Sequence, residues 1–379
     1  MRKIVILGST GSVGVQALEV IAANLDKFEV VGLSAGGTNI ATLVEQAKKF
    51  GVGVIGVNQN GAFARELAGE IVVIDGAQAS SEIAAISCDI VLNAITGSIG
   101  LGPTIAALSA GNKVALANKE SLVAGGDLVM AFGLDRIIPV DSEHSALYQC
   151  FLAGTKPEIK RAILTASGGP FRDLTDLSSV TLEQALAHPT WSMGPVVTIN
   201  SATLVNKGLE IIEAHHLFNL PYEKIEAVIH PQSVIHSMVE YIDGATLAQL
   251  SPPNMKGPIA YALGAPVRVA KATPPVDWTL SHHWSFSPID HLRFPAVDLA
   301  RHCGSRGGGL PAVFNAANEV AVTAFMNGEI EFVAIVEIIA RTTLRLDAIG
   351  DNIIRDLRDV SEIENNARQI AFELVMENK

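Results

Sequence analysis

The first third of the chain carries the pattern that most constrains its fold: short apolar, largely β-branched runs alternate with segments of helical periodicity. Strands buried on both faces of a sheet have such nearly continuous apolar runs, and helical connections between them make neighbouring strands parallel. The pattern predicts an α/β fold with an N-terminal doubly wound, Rossmann-like parallel sheet. The seven candidate strands span residues 3–7, 28–33, 53–57, 71–74, 89–94, 113–117 and 136–140.

A glycine-rich turn follows the first candidate strand. Residues 8–14 read GSTGSVG, and a helical pattern continues from Val15. Glycines let the backbone come close to a pyrophosphate, whose charge is favoured by the free N–H groups at the start of a helix. The context predicts a dinucleotide site. The spacing is GxxGxxG rather than GxGxxG, and a tight β–α turn without a ligand is the alternative.

The end of the second candidate strand bears on the choice of dinucleotide. An NAD-selective fold usually has Asp or Glu there to bind the ribose hydroxyls, but residues 33–39 read LSAGGTN. Because no carboxylate repels a 2′-phosphate, small residues and N–H groups around Gly36 and Asn39 can accommodate it. This predicts NADPH rather than NADH.

Carboxylates follow the seventh candidate strand and recur on a later helix. Asp141 and Glu143 share a face of an extended chain, and their oxygens suit a hard cation such as Mg²⁺ or Mn²⁺. A third carboxylate, Glu210, lies on one face of a predicted helix with Asn206 and Lys207. Two simpler interpretations stay open: Asp141 caps a helix beginning near Ser142, and Glu210 pairs with Lys207 on a solvated surface.

A long polar loop lies between the strand pattern ending at residue 166 and that helix. It begins with SGGPF at residues 167–171 and ends with HPTWSMGP at residues 188–195. Its length, its glycines and its apolar Trp191 predict a flexible lid over an active site. The alternative is a mobile surface insertion.

Length and charge set the remaining expectations. A chain of 379 residues predicts more than one domain, and a net charge of -12 argues against binding nucleic acid or an anionic membrane. Three scattered cysteines and no apolar run near the ~20 residues of a membrane span predict a cytoplasmic protein. The expected organisation is a dinucleotide-binding domain (1–140), an α+β catalytic and metal-binding domain (141–264), a linker (265–290) and a C-terminal α-helical bundle domain (291–379).

Seven motifs in order resemble the 1-deoxy-D-xylulose 5-phosphate reductoisomerase family. They are GSTGSVG, ALANKESLVAGG, DSEHSA, ASGGPF, HPTWSMG, INSATLVNKGLE and PAVFNAANEVAV, and the likeness runs from residue 4 to about residue 325. The resemblance implies a homodimeric enzyme that needs NADPH and a divalent metal (Mg²⁺, Mn²⁺ or Co²⁺). It implies conversion of a phosphorylated ketose, 1-deoxy-D-xylulose 5-phosphate, to 2-C-methyl-D-erythritol 4-phosphate, in isoprenoid precursor synthesis.

The resemblance also implies roles for particular residues. The cofactor contacts are Thr10, Gly11, Ser12, Val13, Asn118, Glu120, Met193 and Gly194, and the metal ligands are Asp141, Glu143 and Glu210. The substrate contacts are Lys119, Ser142, Glu143 and Glu210 at its reacting end, Ser167, Ser201, Asn206 and Lys207 at its phosphate, and His188 and Trp191 from the lid. Lys119, Glu143 and His188 are the implied catalytic residues. Many family members carry a lysine in the loop after the second strand, where this chain has Gly36-Gly37-Thr38-Asn39.

Two other classes of function fit parts of the sequence. A semialdehyde or hydroxy-acid reductase would also bind NADPH, but a semialdehyde dehydrogenase needs an activated cysteine, and Cys150 has no evident base beside it. A nucleotide-sensing Rossmann protein without catalysis would leave the carboxylates and the lid without a role.

Overall fold

The computed structural model describes residues 1–191, 193–350 and 353–378. The chain forms two compact units, each built from several segments. The first comprises Met1–Ser121, Val129–Ser145 and Asn254–Pro274. The second comprises Leu122–Leu128, Ala146–Pro253 and the chain from Pro275 onward.

The first unit is built on a seven-stranded sheet in which every pairing is parallel. All seven predicted strands are confirmed. They are β1 (Arg2–Leu7), β2 (Phe28–Ala35), β3 (Val54–Val57), β4 (Val72–Asp75), β5 (Ile90–Asn93), β6 (Lys113–Leu116) and β7 (Ile137–Pro139). Their order is β4-β3-β2-β1-β5-β6-β7, so the sheet is Rossmann-like, as predicted.

Helices follow most of these strands. They are α1 (Ser12–Ala22), α2 (Ile40–Phe50), α3 (Gly61–Ala68), α4 (Ala79–Ala84), α5 (Leu101–Ser109), α6 (Glu120–Met130) and α7 (Ser142–Phe151). In α1 the buried residues include Gly14, Ala17, Leu18 and Ile21, which is the spacing of one helix face. The chain leaves β1 in one direction across the sheet and continues from β5 in the other. Ligands of doubly wound folds bind at such a switch point, beyond the carboxyl ends of the strands.

The second unit contains a mixed sheet. Its elements up to residue 250 are β8 (Ile159–Ala166), α8 (Leu182–Leu186), α9 (Pro195–Ala202), α10 (Val205–Phe218), β9 (Ile225–Ile229), β10 (Ile235–Tyr241) and β11 (Thr246–Leu250). β8 pairs in parallel with β9 and antiparallel with β10, which pairs antiparallel with β11. The predicted strand that ends at residue 166 is confirmed as β8.

The chain then returns to the first unit through α11 (Lys256–Gly264), which packs against α1. Ile259, Ala262 and Leu263 belong to the same hydrophobic core as the inner strands of the parallel sheet. The Arg2 guanidinium donates a hydrogen bond of 2.9 Å to the Leu263 carbonyl oxygen.

The C-terminal region is helical, as predicted. After β12 (Ser287–Pro288), which pairs with β9, come α12 (Ala296–Arg306), α13 (Leu310–Met326), α14 (Ala334–Ile349) and α15 (Leu357–Glu377). α13 is buried along most of its length, and α14 and α15 pack on it. Among the described residues, no helix combines the length and apolar character needed to cross a membrane.

Candidate functional site

The turn after β1 is shaped by close packing of backbone. Gly8 has φ +75, and a Cβ there would lie 2.7 Å from the Ala94 carbonyl oxygen beyond β5. At Gly14 a Cβ would lie 2.6 Å from the Ser9 Cα and closer still to the Gly8 oxygen. Glycine is therefore required at both positions. Thr10, Gly11, Ser12 and Val13 lie on the turn and the start of α1, all at least partly accessible.

Gln46, which sequence reasoning missed, fixes this turn to α2. The buried Ser9 hydroxyl donates to Gln46 Oε1 at 2.8 Å, and Gln46 Nε2 donates to the Ser9 carbonyl oxygen at 3.0 Å. Glutamine on a helix is too common to signal this role in the sequence. The two bonds hold the glycine turn in one position relative to α2.

The loop after β2 is open to solvent at two of the predicted cofactor contacts. Gly36 is exposed, and a Cβ there would have no heavy atom within 4 Å. Asn39 is exposed and immediately precedes α2. Gly37 has φ +114 and packs against the Gln59 backbone, and its carbonyl oxygen accepts a hydrogen bond of 3.1 Å from Asn60. The open position of Gly36 and Asn39 fits the predicted place for a 2′-phosphate.

Asn118 fixes the loop that follows β5. Its side-chain NH₂ donates to the carbonyl oxygens of Ile95 at 2.7 Å and Gly97 at 2.8 Å, and lies 2.8 Å from Glu120 Oε2. Its oxygen accepts the Ser121 N–H at 3.1 Å and also the Ser121 hydroxyl. The buried Asn118 thus determines the shape of residues 95–97, at the switch point of the sheet.

Asp141 lies directly after β7 among polar partners. Its Oδ2 is 3.1 Å from Lys119 Nζ, and both side chains are about one-eighth exposed, at 12% and 13%. Its Oδ1 accepts the Glu143 N–H at 3.2 Å and lies 3.2 Å from the Nδ1 of the buried His144. α7 begins at Ser142, so Asp141 does occupy the predicted capping position. Capping engages one oxygen, while the other faces the Lys119 ammonium.

Glu143 is the second carboxylate of this group. A carboxylate oxygen of Glu143 and one of Asp141 lie within 4.8 Å of each other, a separation that one cation could bridge. The Ser142 hydroxyl donates to Glu143 Oε2. Lys119, Asp141, Ser142 and Glu143, all predicted from the sequence, are thus close together in the first unit.

Glu210 is buried in the second unit, in the middle of α10. It is 1% exposed and Lys207 is 3% exposed. Asn206 Nδ2 donates to Glu210 Oε1 at 2.5 Å, and Lys207 Nζ donates to Glu210 Oε2. The interpretation of a solvated surface pair is therefore wrong. Burying two charged groups costs several kcal/mol each, about the scale of a protein's whole stability, which argues for a function beyond stability.

Three residues predicted to contact the substrate converge around one imidazole ring. His188 Nε2 lies 3.0 Å from the Ser167 hydroxyl and 3.1 Å from the Ser201 hydroxyl. Ser167 follows β8, Ser201 lies near the end of α9, and His188 lies between them in the loop. The structure brings together residues that are 21 and 13 positions apart.

Unusual backbone conformations make this convergence possible. Gly169, with φ +63, lets the chain pass so close to α9 that a Cβ would lie 2.9 Å from the Ser201 carbonyl oxygen. Leu204, between α9 and α10, has φ +59, which is strained for a branched side chain. It separates α9 from α10, so the predicted helix that carries Asn206, Lys207 and Glu210 starts just ahead of these residues.

The hydrogen bonds of His188 indicate which ring nitrogen carries the hydrogen. Its Nδ1 accepts the N–H groups of Thr190 at 3.1 Å and Trp191 at 2.9 Å, so Nδ1 carries no hydrogen. Burial, with a smaller effect of the positive charge of Arg172, lowers the pKa of His188 below its usual value. The ring is therefore neutral near pH 7, with its hydrogen on Nε2, where it can donate to an anion.

Comparison with known proteins identifies the family. Three family profiles match: 1-deoxy-D-xylulose 5-phosphate reductoisomerase over residues 4–126, its C-terminal domain over 137–218, and the DXP reductoisomerase C-terminal domain over 250–370. The 1-deoxy-D-xylulose 5-phosphate reductoisomerase of Streptomyces avermitilis is 51% identical, with 98% of each chain covered. That of Mycobacterium marinum is 56% identical over 89% of this chain and 84% of its own. The chain belongs to the 1-deoxy-D-xylulose 5-phosphate reductoisomerase family.

Solved structures of the reductoisomerase family share the whole fold. The enzyme from Zymomonas mobilis in complex with NADPH is 40% identical, with a TM-score of 0.92 and 99% of each chain covered. A reductoisomerase in complex with NADPH, fosmidomycin and magnesium is 36% identical, with a TM-score of 0.93 over 99% of this chain and 98% of that one.

Family membership rules out the semialdehyde dehydrogenase and the non-catalytic sensor considered above. The geometry agrees for the first of these: Cys150 is 6% exposed, and burial raises the pKa of its thiol to about 11. A buried thiol with a raised pKa is a poor nucleophile, so the setting of Cys150 does not suit the chemistry of a semialdehyde dehydrogenase.

The predicted lid segment is only partly exposed. Trp191 is partly buried, and its ring centroid lies 6.1 Å from that of His236. Met193 is partly buried, and Gly194 is exposed just before α9. Ser192, within the predicted lid, lies outside the described residues. Leu177, Val180 and Ala185 are buried, so the interpretation of the whole segment as a mobile surface insertion is wrong.

Proposed function

We propose that this chain converts 1-deoxy-D-xylulose 5-phosphate into 2-C-methyl-D-erythritol 4-phosphate with NADPH and a divalent metal ion, through the residues described above. The observation that carries the proposal is the near-complete match, in sequence and fold, to reductoisomerases, one of them solved with NADPH, fosmidomycin and magnesium. The proposed residue roles are those that the family resemblance implies, and the geometry of this chain supports several of them.

Asp141, Glu143 and Glu210 are the proposed metal ligands. All three supply the hard oxygen donors that Mg²⁺ and Mn²⁺ prefer. Two supporting observations are the proximity of the Asp141 and Glu143 carboxylates and the burial of the Glu210 carboxylate. The Lys207 ammonium group donates a hydrogen bond to the Glu210 carboxylate, whose oxygens would be offered to the cation.

The proposed phosphate site combines Ser167, Ser201, Asn206 and Lys207. The serine hydroxyls already lie at hydrogen-bond distance from the donor Nε2 of His188, and Lys207 is buried with its positive charge. The N–H groups at the start of α10 add a partial positive charge. These groups are suited to an anionic phosphate and would bind it far from the reacting bonds, where its binding energy can order the lid.

The proposed cofactor site follows the glycine turn and the loop after β2. Thr10, Gly11, Ser12 and Val13 lie at the start of α1, where a pyrophosphate would bind, and the Gly11 N–H shapes the turn by donating to the Gly8 carbonyl oxygen at 3.0 Å. Gly36 and Asn39 provide the open space for the 2′-phosphate, and Asn118 and Glu120 border the loop at the switch point. Met193 and Gly194, at the end of the lid, are the proposed nicotinamide contacts.

The chain's own residues prepare the substrate for rearrangement and reduction. When bound, a divalent ion supplies Lewis-acid stabilisation of negative charge on the substrate oxygens, and NADPH supplies the hydride. Lys119, 3.1 Å from Asp141, places a positive charge at the reacting end. His188, neutral and with its hydrogen on Nε2, donates to the substrate from the lid. Trp191 excludes water when the lid is closed.

The proposal is tested by mixing the protein with NADPH, Mg²⁺ and 1-deoxy-D-xylulose 5-phosphate and following nicotinamide absorbance. We expect loss of the reduced nicotinamide, full inhibition by excess chelator, and recovery on adding Mg²⁺ or Mn²⁺. Omission of the ketose phosphate is the control. Oxidation that continues unchanged in chelator, or none with metal present, would overturn the proposal.

We also propose that the enzyme works as a homodimer in the cytosol and accepts Mn²⁺ as well as Mg²⁺. The resemblance to the family supports the dimer, and three free thiols, Cys88, Cys150 and Cys303, suit a reducing compartment. Light scattering after size exclusion tests the dimer, and a mass of one chain would contradict it.

A further inference from the structure

One arginine fastens the first part of the lid segment to the C-terminal half of the second unit. Arg293 lies just before α12, and its guanidinium reaches back across 121 positions. Its Nη2 donates to the Arg172 carbonyl oxygen at 3.0 Å, and its Nη1 donates to the Leu174 carbonyl oxygen. A planar guanidinium can hold two carbonyl oxygens in a fixed relation, which a flexible lysine ammonium does not.

Asp290 orients this arginine. One carboxylate oxygen of Asp290 accepts Arg293 Nε–H at 2.8 Å, and the other accepts the N–H groups of Leu292 and Arg293, each at 3.2 Å. The carboxylate thus fixes both the backbone and the side chain of Arg293, which is 26% exposed.

The fastened segment leads directly to the proposed phosphate site. Phe171, 4% exposed, packs edge-to-face on Phe332 with ring centroids 5.1 Å apart, adjacent to the carbonyl that Arg293 holds. Only Gly168, Gly169 and Pro170 separate Phe171 from Ser167. Arg172 itself lies close enough to His188 for its charge to act on that ring.

We infer that Arg293 is a positioning residue for the phosphate-binding loop. By holding the carbonyl oxygens of residues 172 and 174, it keeps Ser167 against His188 and Ser201 before the substrate arrives. Without it, part of the binding energy would be needed to order the loop. The inference rests on the proposed function, in that Ser167 and Ser201 are taken to bind the substrate's phosphate.

The test compares Arg293→Gln with wild type and with Arg358→Gln, a matched control whose side chain is 92% exposed and pairs with Asp356. We expect Arg293→Gln to raise both KM for the ketose phosphate and the inhibition constant of inorganic phosphate roughly tenfold, with KM for NADPH within about twofold. Arg293→Lys keeps the positive charge but not the planar guanidinium that holds two carbonyl oxygens. Its KM for the ketose phosphate should therefore lie between those of wild type and Arg293→Gln. Arg358→Gln should match wild type.

Other outcomes separate the inference from the proposed function. If Lys207→Ala raises KM for the ketose phosphate but Arg293→Gln does not, the positioning role is refuted and the phosphate site stands. If neither variant changes it, the phosphate site itself is refuted. If Arg293→Gln raises KM for the ketose phosphate and KM for NADPH equally and lowers the melting temperature, Arg293 stabilises the protein in general and the positioning role is refuted. Should Arg293→Gln not fold, Asp290→Asn is the substitute, because it removes the charge and the acceptor that orient Nε–H and leaves an amide oxygen for the backbone N–H groups. A smaller rise confined to KM for the ketose phosphate is then expected.

Discussion

Replacing Gly14 by alanine tests whether the shape of the turn after β1 is what binds the dinucleotide. The new Cβ would lie 2.6 Å from the Ser9 Cα, whereas ordinary contacts begin at 3.4 Å. The neighbouring atoms belong to the backbone and cannot rotate away. The turn or the start of α1 must therefore shift by at least about 0.8 Å, the shortfall between these two distances, because the Gly8 oxygen is closer still.

The expected magnitude follows from that shift. An N–H group displaced by about 0.8 Å from a phosphate oxygen no longer makes a hydrogen bond, and a bond to a charged group contributes about 1.5–3 kcal/mol. Losing one such bond weakens NADPH binding about 10- to 100-fold. Overpacking lowers the free energy of unfolding by about 1–3 kcal/mol, less any gain from alanine's helix propensity.

The assay is a titration of NADPH by fluorescence, alongside urea unfolding of the same proteins. Gly102→Ala is the matched control, because Gly102 also lies in the first turn of a helix of the first unit and its Cβ would approach only Ser81 Oγ, at 3.8 Å. It should bind NADPH like wild type. A folded Gly14→Ala protein that binds NADPH within about twofold of wild type would refute the reasoning.

Three further predictions concern other residues. Glu210→Gln should lower turnover at least about 100-fold, because a proposed metal ligand loses its charge, and should leave the dissociation constant of NADPH nearly unchanged, because Glu210 is not among the proposed cofactor contacts. Near-normal turnover in saturating Mg²⁺ would exclude Glu210 as a ligand. Lys207→Ala should raise KM for the ketose phosphate about tenfold or more, whereas Lys160→Ala, at an exposed position of β8, should not; an unchanged KM in the first variant would remove Lys207 from the phosphate site. Burial lowers the pKa of His216 to about 4 from its usual value of 6.5, so below pH 6.5 the unfolded chain takes up a proton that the folded chain does not. Stability should therefore fall by about 2 kcal/mol from about pH 7.5 to about pH 5, and the fall should be smaller in His216→Gln, as measured by urea unfolding; equal falls would contradict the buried neutral ring.

Local patterns were sufficient for most elements and for the candidate carboxylates, whereas most of the other site residues were implied by the family resemblance. The seven strands of the parallel sheet, the glycine turn and the start of α7 at Ser142 depend on neighbouring residues, which the sequence displays directly. Carboxylates after β7 were recognisable because strand ends carry ligands in doubly wound folds. The long-range partners were not recognisable, since Gln46 and Arg293 are ordinary polar residues whose contacts lie 37 and 121 positions away.

Helix α11 shows where sequence patterns fail. Its residues from Pro258 to Gly264 are all buried, so it has no polar face to indicate which sheet it covers. The predicted catalytic domain included these residues, yet they pack in the core of the first unit. The division into four predicted segments stays a prediction.

The sequence alone determined the α/β class and the glycine turn, because each depends on spacing within about ten residues, and its ordered motifs determined the family. Only the tertiary structure decided that Ser167, His188 and Ser201 share one hydrogen-bond network and that His188 carries its proton on Nε2. It also decided that Lys207 and Glu210 form a buried pair rather than a surface one. Burial and hydrogen-bond geometry arise from packing between distant segments. Burial and hydrogen bonds in turn set the protonation and the orientation of each side chain.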